Sequence, residues 1–508
     1  MRLDGALSIA SVSLRNIDTQ LGLVSNNVAN AGTPDYTAEV GRQESIVAGG
    51  QGLGVRTDAA GRAIDLALQR SVFQQDTVVA GLTTTTNGLS AIDAVLGTPG
   101  QGNDLGSLLG KMGDAFSALL GDPSNASRQA AIVSAAGALT SGINGTSDAY
   151  TRQRQAAQND IVGAVAAANE QLSQIGSLSN RIVAAQSGGQ STADLENLRD
   201  AAVHTLGGLL SIKTLVHSNG DLAVFTASGS QLSTRATTGP LQTSAATIGS
   251  GAYYPGGGIP AVTLNGVDIT SQLQGGKLGA SIVLRDKTLP GFQGELDEFS
   301  QSLASRFDAQ GLALFTDPTG AVPANGGKPA QAGYVGFSGS IQVNPAISAN
   351  PALIRDGSHD VAGSATGASA FTVNPAGGPA GFTALIGRIL TYALGSEAQS
   401  GVAQPVPAAS GLGPDGSLGA PYLPGTTLAG HIGALVSAQA GVSAAASGQL
   451  STEQTVQTTL SSRLNAVSGV NMDTEMAHML QLQNAYQANA RIISSVQSMF
   501  NDLLQAIR

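Results

Sequence analysis

A chain of 508 residues with 11% charged residues, a net charge of −10, no cysteine and no tryptophan is long enough for about three or four domains and has no thiols for disulfides or thiolate metal sites. The acidic balance and the absence of basic runs argue against nucleic acid and anionic membrane as partners. No stretch of about 18 apolar residues marks a bilayer-spanning helix, and the N-terminus, with one Arg and no continuous apolar segment before a cleavage site, does not read as a secretory signal.

The chain opens on Leu3, Leu7, Ala10, Leu14, Ile17, Leu21, Val24 and Val28, which alternate steps of four and three. Such a faultless heptad pattern predicts a coiled-coil seam. Asn30-Ala31-Gly32-Thr33-Pro34-Asp35 is turn chemistry that stops this helix. Residues 36–65 read as an extended, Gly-rich segment. Helical patterning then runs from about residue 66 to 215, with Leu105, Leu108, Leu109, Met112, Phe116, Leu119 and Leu120 on one helix. Gly121-Asp122-Pro123 interrupts it, and Ser124 or Asn125 can cap the long Ala-, Gln- and Asn-rich helix that follows.

Near Val216 the periodicity changes, and residues 216–288 read as β-rich. Leu222 to Thr226 is a strand, and Asn265-Gly266 between two short apolar runs predicts a hairpin. Ser281, Ile282, Val283 and Leu284 predict another strand. A returning helix is expected within 289–315, followed by a Gly/Pro-rich, mostly β or irregular outer region over 316–425, with a strand near 340–343 and a short helix near 382–394. Residues 426–467 are helical again. A Ser468-Gly469 hinge leads into a final helix over 468–508, whose apolar stripe is Met472, Met476, Met479, Tyr486, Ala490, Ile493, Val496, Phe500, Leu503 and Ile507, with Gln483 in its polar gap. The fold class expected is therefore α+β and multidomain. Paired N- and C-terminal coiled-coil helices (1–35 and 468–508) join a helical bundle drawn from both halves of the chain and a mostly β middle and outer domain.

No constellation points to catalysis, and no cofactor or metal is expected. His204, His217, His359, His431 and His478 show no metal-ligand spacing. Ser358-His359-Asp360 contains the triad residue types, but consecutive residues do not normally converge. Gly411, Gly413 and Gly416 match GxGxxG without a preceding strand, so a loop is expected. Asp194, Glu196 and Asp200 beside Arg199 read as a solvated helix face.

Two stretches carry a resemblance. SNNVANAGTPDY (25–36) and QNAYQANARIISS (483–495) resemble the end signatures of the axial proteins of the bacterial flagellum, which include rod, hook and hook-associated proteins. QLSQIGSLSNRI (171–182) and DLENLRDAAVHTLGGLLSIK (194–213), with Asp194-Leu195 and Arg199-Asp200, resemble the helical domain of the hook-associated protein 1 family, a block that hook and rod subunits lack. Asp35 stands where that family usually carries Gly.

The resemblance implies a structural, non-enzymatic protein of the extracellular flagellum, in the hook-side layer of the hook–filament junction and needed for filament assembly. It implies a homo-oligomeric ring or short helical layer, with hook protein on one side and the second junction protein on the other. Export would use the flagellar type III apparatus and an export chaperone, without a cleaved signal peptide. The subunit-interaction residues carried over are Asn26, Asn27, Ala29, Asn30, Thr33, Pro34 and Tyr36 with the N-terminal stripe, and Gln483, Ala485, Tyr486, Gln487, Ala488, Asn489, Ala490 and Arg491 with the C-terminal one. A hook or rod subunit, or a secreted Gly/Ser/Thr-rich adhesin, is the alternative. If the first helix serves assembly, Ile17→Asp blocks assembly while the melting of the middle of the chain stays almost unchanged. A large fall in that melting temperature would instead place the helix in a globular core.

Overall fold

The computed structural model describes residues 3–48, 51–97, 102–236, 238–324, 327 and 329–506. Helix α1 (Leu3–Asn30) ends where the turn chemistry begins, and Asp35 beyond it takes a left-handed backbone, φ 62. Short strands follow. β1 (Glu39–Val40) pairs antiparallel with β4 (Gly61–Arg62), and between them β2 (Gln43–Ala48) and β3 (Gln51–Thr57) form an antiparallel hairpin.

Four helices come next, three of them capped by a side chain. Asp65 accepts from the backbone of Ala67 and Leu68 at the start of α2 (Leu66–Leu96), and Asp104 from Ser107 in α3 (Leu105–Leu120). Asn125 accepts from Arg128 at the start of α4 (Ala126–Ser187). Each such cap satisfies a backbone donor that the helix cannot. At 62 residues α4 is roughly 90 Å long, given 1.5 Å per residue. Helix α5 (Ala193–Leu209) packs back against it.

Two three-stranded antiparallel sheets follow: β5 (Ile212–Val216), β6 (Leu222–Thr226) and β7 (Gln231–Leu232), then β8 (Leu241–Gln242), β9 (Thr263–Leu264) and β10 (Val267–Asp268). Asn265 and Gly266 have φ 51 and 84, the two positive values a tight hairpin turn requires. Helix α6 (Gly276–Val283) runs through a π turn (Leu284–Thr288) into α7 (Leu289–Ala309). The expected strand over 281–284 is thus a helix. Leu278, Ile282 and Leu284 are buried, with Val283 exposed between them, so a short Ile-Val-Leu run that periodicity alone leaves ambiguous joins the helix after it.

The outer region holds β11 (Phe315–Thr316) paired with β12 (Gln342–Val343), α8 (Pro345–Ala349), α9 (Leu353–Asp356) and α10 (Ala384–Arg388) with its π continuation (Ile389–Ala393). Two further pairs, β13 (Glu397–Gln399) with β14 (Val402–Ala403) and β15 (Ser410–Leu412) with β16 (Leu418–Gly419), complete it. The expectation of a mostly β middle and outer domain needs correcting. The described strands beyond residue 212 are two to five residues long, and the fold is mostly helical with small sheets. Helices α11 (Leu428–Ser468) and α12 (Met472–Ala506) close the chain, separated at Gly469.

Two large cores share α4. Its first half joins α3, α7, α10 and the start of α11 in one, where Phe307 lies 5.9 Å from Phe116 and 5.3 Å from Phe315. Its second half joins α5, α6 and both three-stranded sheets in the other. The α11–α12 segment contains an 18-residue window of mean hydropathy 1.2, enough by length and composition alone to cross a bilayer. Leu428, His431, Ile432, Leu435 and Val436 at its start are buried in the first core.

Every residue of α7 from Leu289 to Ala304 is buried, polar ones included. Glu295 accepts from Gln439 Nε2 (3.0 Å), whose own Oε1 accepts from Tyr150 Oη (2.6 Å). Asp297 accepts from the backbone of Gly336 and Ser338, the Ser338 hydroxyl and Gln293. Burial raises both acids, Glu295 to about 7 and Asp297 to about 6, against the donors that lower them. A carboxyl raised in the folded state stabilises it fully below its unfolded value and loses that contribution as pH rises through the folded one. Glu295→Gln keeps an acceptor for Gln439 and removes the titration. Relative to the parent, this variant gains unfolding free energy between pH 5 and pH 8, on the order of 2–3 kcal/mol, as read by urea denaturation at the two pH values.

Candidate subunit-interaction surface

Helices α1 and α12 form an antiparallel pair whose small core is Ile17, Val24 and Leu482, flanked by Leu21, Val28, Met479 and Ala485. Of the N-terminal stripe, Ala10, Ile17 and Val24 are buried and Leu7, Leu14, Leu21 and Val28 half-buried, while the side chain of Leu3 lies outside the described residues. The β2–β3 hairpin covers another side of α1. Asn16 Nδ2 donates to Val55 O (2.5 Å), and Gly54, at φ 132, leaves room for Val12, whose Cγ1 would be 3.3 Å from an added Cβ.

On α12 the seam departs from the expected stripe. Leu482 and Val496 are buried and Glu475, Met479, Ala485, Asn489, Ile493 and Phe500 half-buried. Met472, Met476, Gln483, Tyr486, Gln487, Ala488, Ala490, Arg491 and Leu503 are exposed, and Ile507 lies outside the described residues. The seam therefore consists of a row seven apart, Glu475, Leu482, Asn489 and Val496, beside Met479, Ala485, Ile493 and Phe500. Glu475 and Asn489 make this row look polar, which hid Leu482. Counting back in sevens from Val496 recovers it. Met472, Met476, Leu480, Tyr486, Ile492, Met499, Leu503 and Leu504 remain as large apolar side chains between 41% and 63% exposed.

Asn27 ties the pair to the rest of the chain. Its Nδ2 donates to Glu39 O (3.0 Å) and to Glu475 Oε1 (2.9 Å), and its Oδ1 accepts from Tyr36 Oη (3.0 Å) and Glu39 N (2.8 Å). All four valences of one buried amide are thereby used on α12, β1 and the turn. Three further N-terminal signature residues are also engaged within the chain. Asn26 donates to Asp194 (3.0 Å), Asn30 donates to Asn26, and Thr33 donates to Asn30 (3.1 Å), with Pro34 exposed.

The α5 face is not the solvated surface expected. Glu196 and Asp200 receive Arg62, at 2.9 and 2.7 Å, and Arg199 is buried with Nη1 donating to Gly220 O (2.7 Å). Thr37 and Asn197 exchange hydrogen bonds there. Burial, then the neighbouring Asp194 carboxyl, push Glu39 up to about 7, and burial with Glu39, Asp194 and Glu475 holds the Tyr36 phenol neutral.

Elsewhere, Ser358 and His359 do meet, Oγ to Nδ1 at 3.0 Å, against the sequence expectation. Ser358 Oγ also accepts from Ala313 N (2.8 Å), and Asp360 is turned to the backbone of Val373, so the contact fastens a turn. Gly411, Gly413 and Gly416 shape the β15–β16 hairpin. Among the described residues no group of three or more His, Asp or Glu is arranged to hold a metal ion.

Comparison with known proteins bears on this surface. The family described as the flagellar hook-associated protein FlgK helical domain matches residues 89–319, which include both α4–α5 stretches quoted above. The family described as the C-terminal part of flagellar basal body rod FlgEFG proteins matches 464–506. Flagellar hook-associated protein 1 of Escherichia coli (strain K12) is 26% identical over 331 residues, covering 62% of this chain and 58% of that protein. The protein of the same name from Bacillus subtilis (strain 168) is 24% identical over 235 residues, 44% of this chain and 46% of that one. The chain thus matches about half the length of these curated relatives. A solved structure, the flagellar hook junction protein FlgK from Burkholderia pseudomallei, is similar over 50% of this chain and 45% of that one, at 23% identity and a TM-score of 0.40.

Removing the Asn27 side chain strands four partners at once. Asn27→Ala lowers the local opening free energy at the Glu39 amide and the first turns of α12 by about 2–3 kcal/mol, measured by amide hydrogen exchange. Protection in α7 is unaltered.

Proposed function

The chain belongs to the hook-associated protein 1 family of bacterial flagellar proteins, and from that premise we propose that it forms the hook-side layer of the hook–filament junction. In this reading it is a structural subunit that assembles as a ring or short helical layer through its terminal helices. Hook protein lies on one side and the second junction protein on the other. The subunit reaches its place outside the cell through the flagellar type III export apparatus with an export chaperone.

The observation that carries this reading is the state of α12. One narrow seam is occupied by α1, while Met476, Leu480, Ile492, Met499 and Leu504 stand exposed on the same helix. Large apolar side chains left exposed along one helix in this number, on both flanks of the seam, support an interface with further chains. Neighbouring copies supply the missing cover and account for a helix pair whose apolar cluster, among the described residues, is as small as Ile17, Val24 and Leu482. The match of α12 to rod proteins fits a shared mode of end-to-end packing, and the separate match over 89–319 favours the hook-associated reading over a hook or rod subunit.

A strain lacking the gene is expected to make normal hooks without filaments and to release flagellin into the medium, as seen by electron microscopy and immunoblot. Absent hooks would make the protein a rod or hook component. Ile492→Glu, at an exposed position, is expected to leave the melting temperature of the purified subunit unchanged and to fail to restore filaments.

A further inference from the structure

Between the terminal pair and the body the chain passes through residues 31–37. Asp35 and Asn265 are the non-glycine residues with positive φ among those described. Asn265 sits in a hairpin turn that asks for this conformation, whereas Asp35 has no hairpin around it and is held by a side chain. His204 Nδ1 on α5 lies 2.7 Å from Asp35 Oδ2, and His204 Nε2 lies 2.7 Å from Asp76 Oδ2 on α2. Asp76 Oδ1 accepts from Gln457 Nε2 on α11 (2.7 Å), and Phe73 stacks on the imidazole at 4.7 Å with the planes 4° apart. Beside this contact is a cavity of about 420 Å³ between the turn and the body, bordered by Pro34, Asp76, His204, Leu464 and Ser468.

A neutral imidazole donates one hydrogen bond, so a ring with a carboxylate at each nitrogen satisfies both only as the imidazolium. We infer that His204 is a positioning residue: held as a cation between Asp35 and Asp76, it latches the 31–37 turn to the body and sets the direction in which the α1–α12 pair leaves it. The cavity gives the turn space to shift once the latch is gone.

The charged groups at the ring come from two elements, Asp35 from the turn and Asp76 from α2; on α5 itself Asp200, four positions before His204, is engaged by Arg62 and Gln69. From the turn the Tyr36 phenol also borders the cavity, and α11 contributes Ser461, Leu464, Asn465 and Ser468. The hydrogen bonds that the ring donates to Asp35 and then Asp76 outweigh burial and raise the imidazole to about 9. Because the folded value is raised, the latch is at full strength below the ordinary histidine range and is lost as pH rises through about 9.

The latch is a property of the single chain, and its test does not depend on assembly. Because the chain has no cysteine, two can be introduced at the exposed positions Thr452 and Ser495 for spin labels, and the distance distribution between α11 and α12 read by pulsed electron resonance. In the otherwise unchanged full chain the distribution is expected to be narrow at pH 7 and to broaden with a midpoint near pH 9. Asp76→Asn, which removes one of the two carboxylates, moves that midpoint down by about one pH unit. His204→Gln broadens the distribution already at pH 7 and abolishes its pH dependence. A distribution that stays narrow to pH 10 in the parent, or a midpoint that Asp76→Asn leaves in place, overturns the latch, and neither result requires His204→Gln to fold.

Discussion

The arrangement of the whole molecule depends on one buried amide. Asn27 and Glu475 are 448 positions apart in sequence, and their hydrogen bond fixes how α1 lies along α12. An apolar seam of Leu, Val, Ile and Met tolerates sliding by a heptad, since each register buries similar side chains. A single Asn within such a seam does not, because any other register leaves its donors and acceptors without partners. Asn27 has a further restriction that a coiled-coil Asn lacks: two of its four bonds go to the backbone of Glu39, so the seam and the strand that follows the turn are set together.

Beyond that joint the body is organised by two helices of opposite character. Helix α4 is long and rich in small residues, with one part in each large core, so the two cores are fixed to one strut. Helix α7 is short and buried on every side. An acidic run inside a core is costly unless every oxygen is met. Asp297 meets that condition through Gly336, Ser338 and Gln293 and Glu298 through the Tyr334 phenol and the backbone of Ala408, while Glu295 receives Gln439 on one oxygen. Those bonds reach into α11 and the outer loops, and they bind a region with little regular structure to the central helix.

How much of this was legible in the sequence differs from element to element for physical reasons. The heptads of α1, the Asn125 cap and the Asn265-Gly266 hairpin are local signals, and each forms where local rules place it. The 281–284 segment failed because three consecutive apolar residues carry no period, and the helix after it decided the outcome. The α12 seam was read one position off at Met476, Gln483 and Ala490 because two of its inward positions are polar. Glu475 is polar because Asn27 lies opposite, a fact of tertiary structure that no count along the chain contains. The same holds for Arg199, whose burial depends on Gly220 in the β5–β6 turn. The signature residues were visible as a motif, but their work inside the chain was not: Asn26, Asn27, Asn30 and Tyr36 read as contacts to neighbours, and they are first of all contacts to Asp194, Glu39 and one another.

The electrostatics of the joint follow from this crowding. On one side Glu39 is buried beside Asp194, and on the other His204 is held between Asp35 and Asp76. Both groups have their affinity for protons raised by folding, the carboxyl because burial and a like charge disfavour its anion, the imidazole because two carboxylates favour its cation. A joint of this kind takes up protons as it forms, so on both sides it is held more firmly in the lower part of the neutral range than in the higher. The seam itself, being apolar apart from Asn27, Glu475 and Asn489, has little to titrate. Rising pH therefore acts first on the core around Asp297 and Glu295 and on Glu39, and only near pH 9 on the His204 side of the joint, while the apolar seam of the pair is left largely untouched.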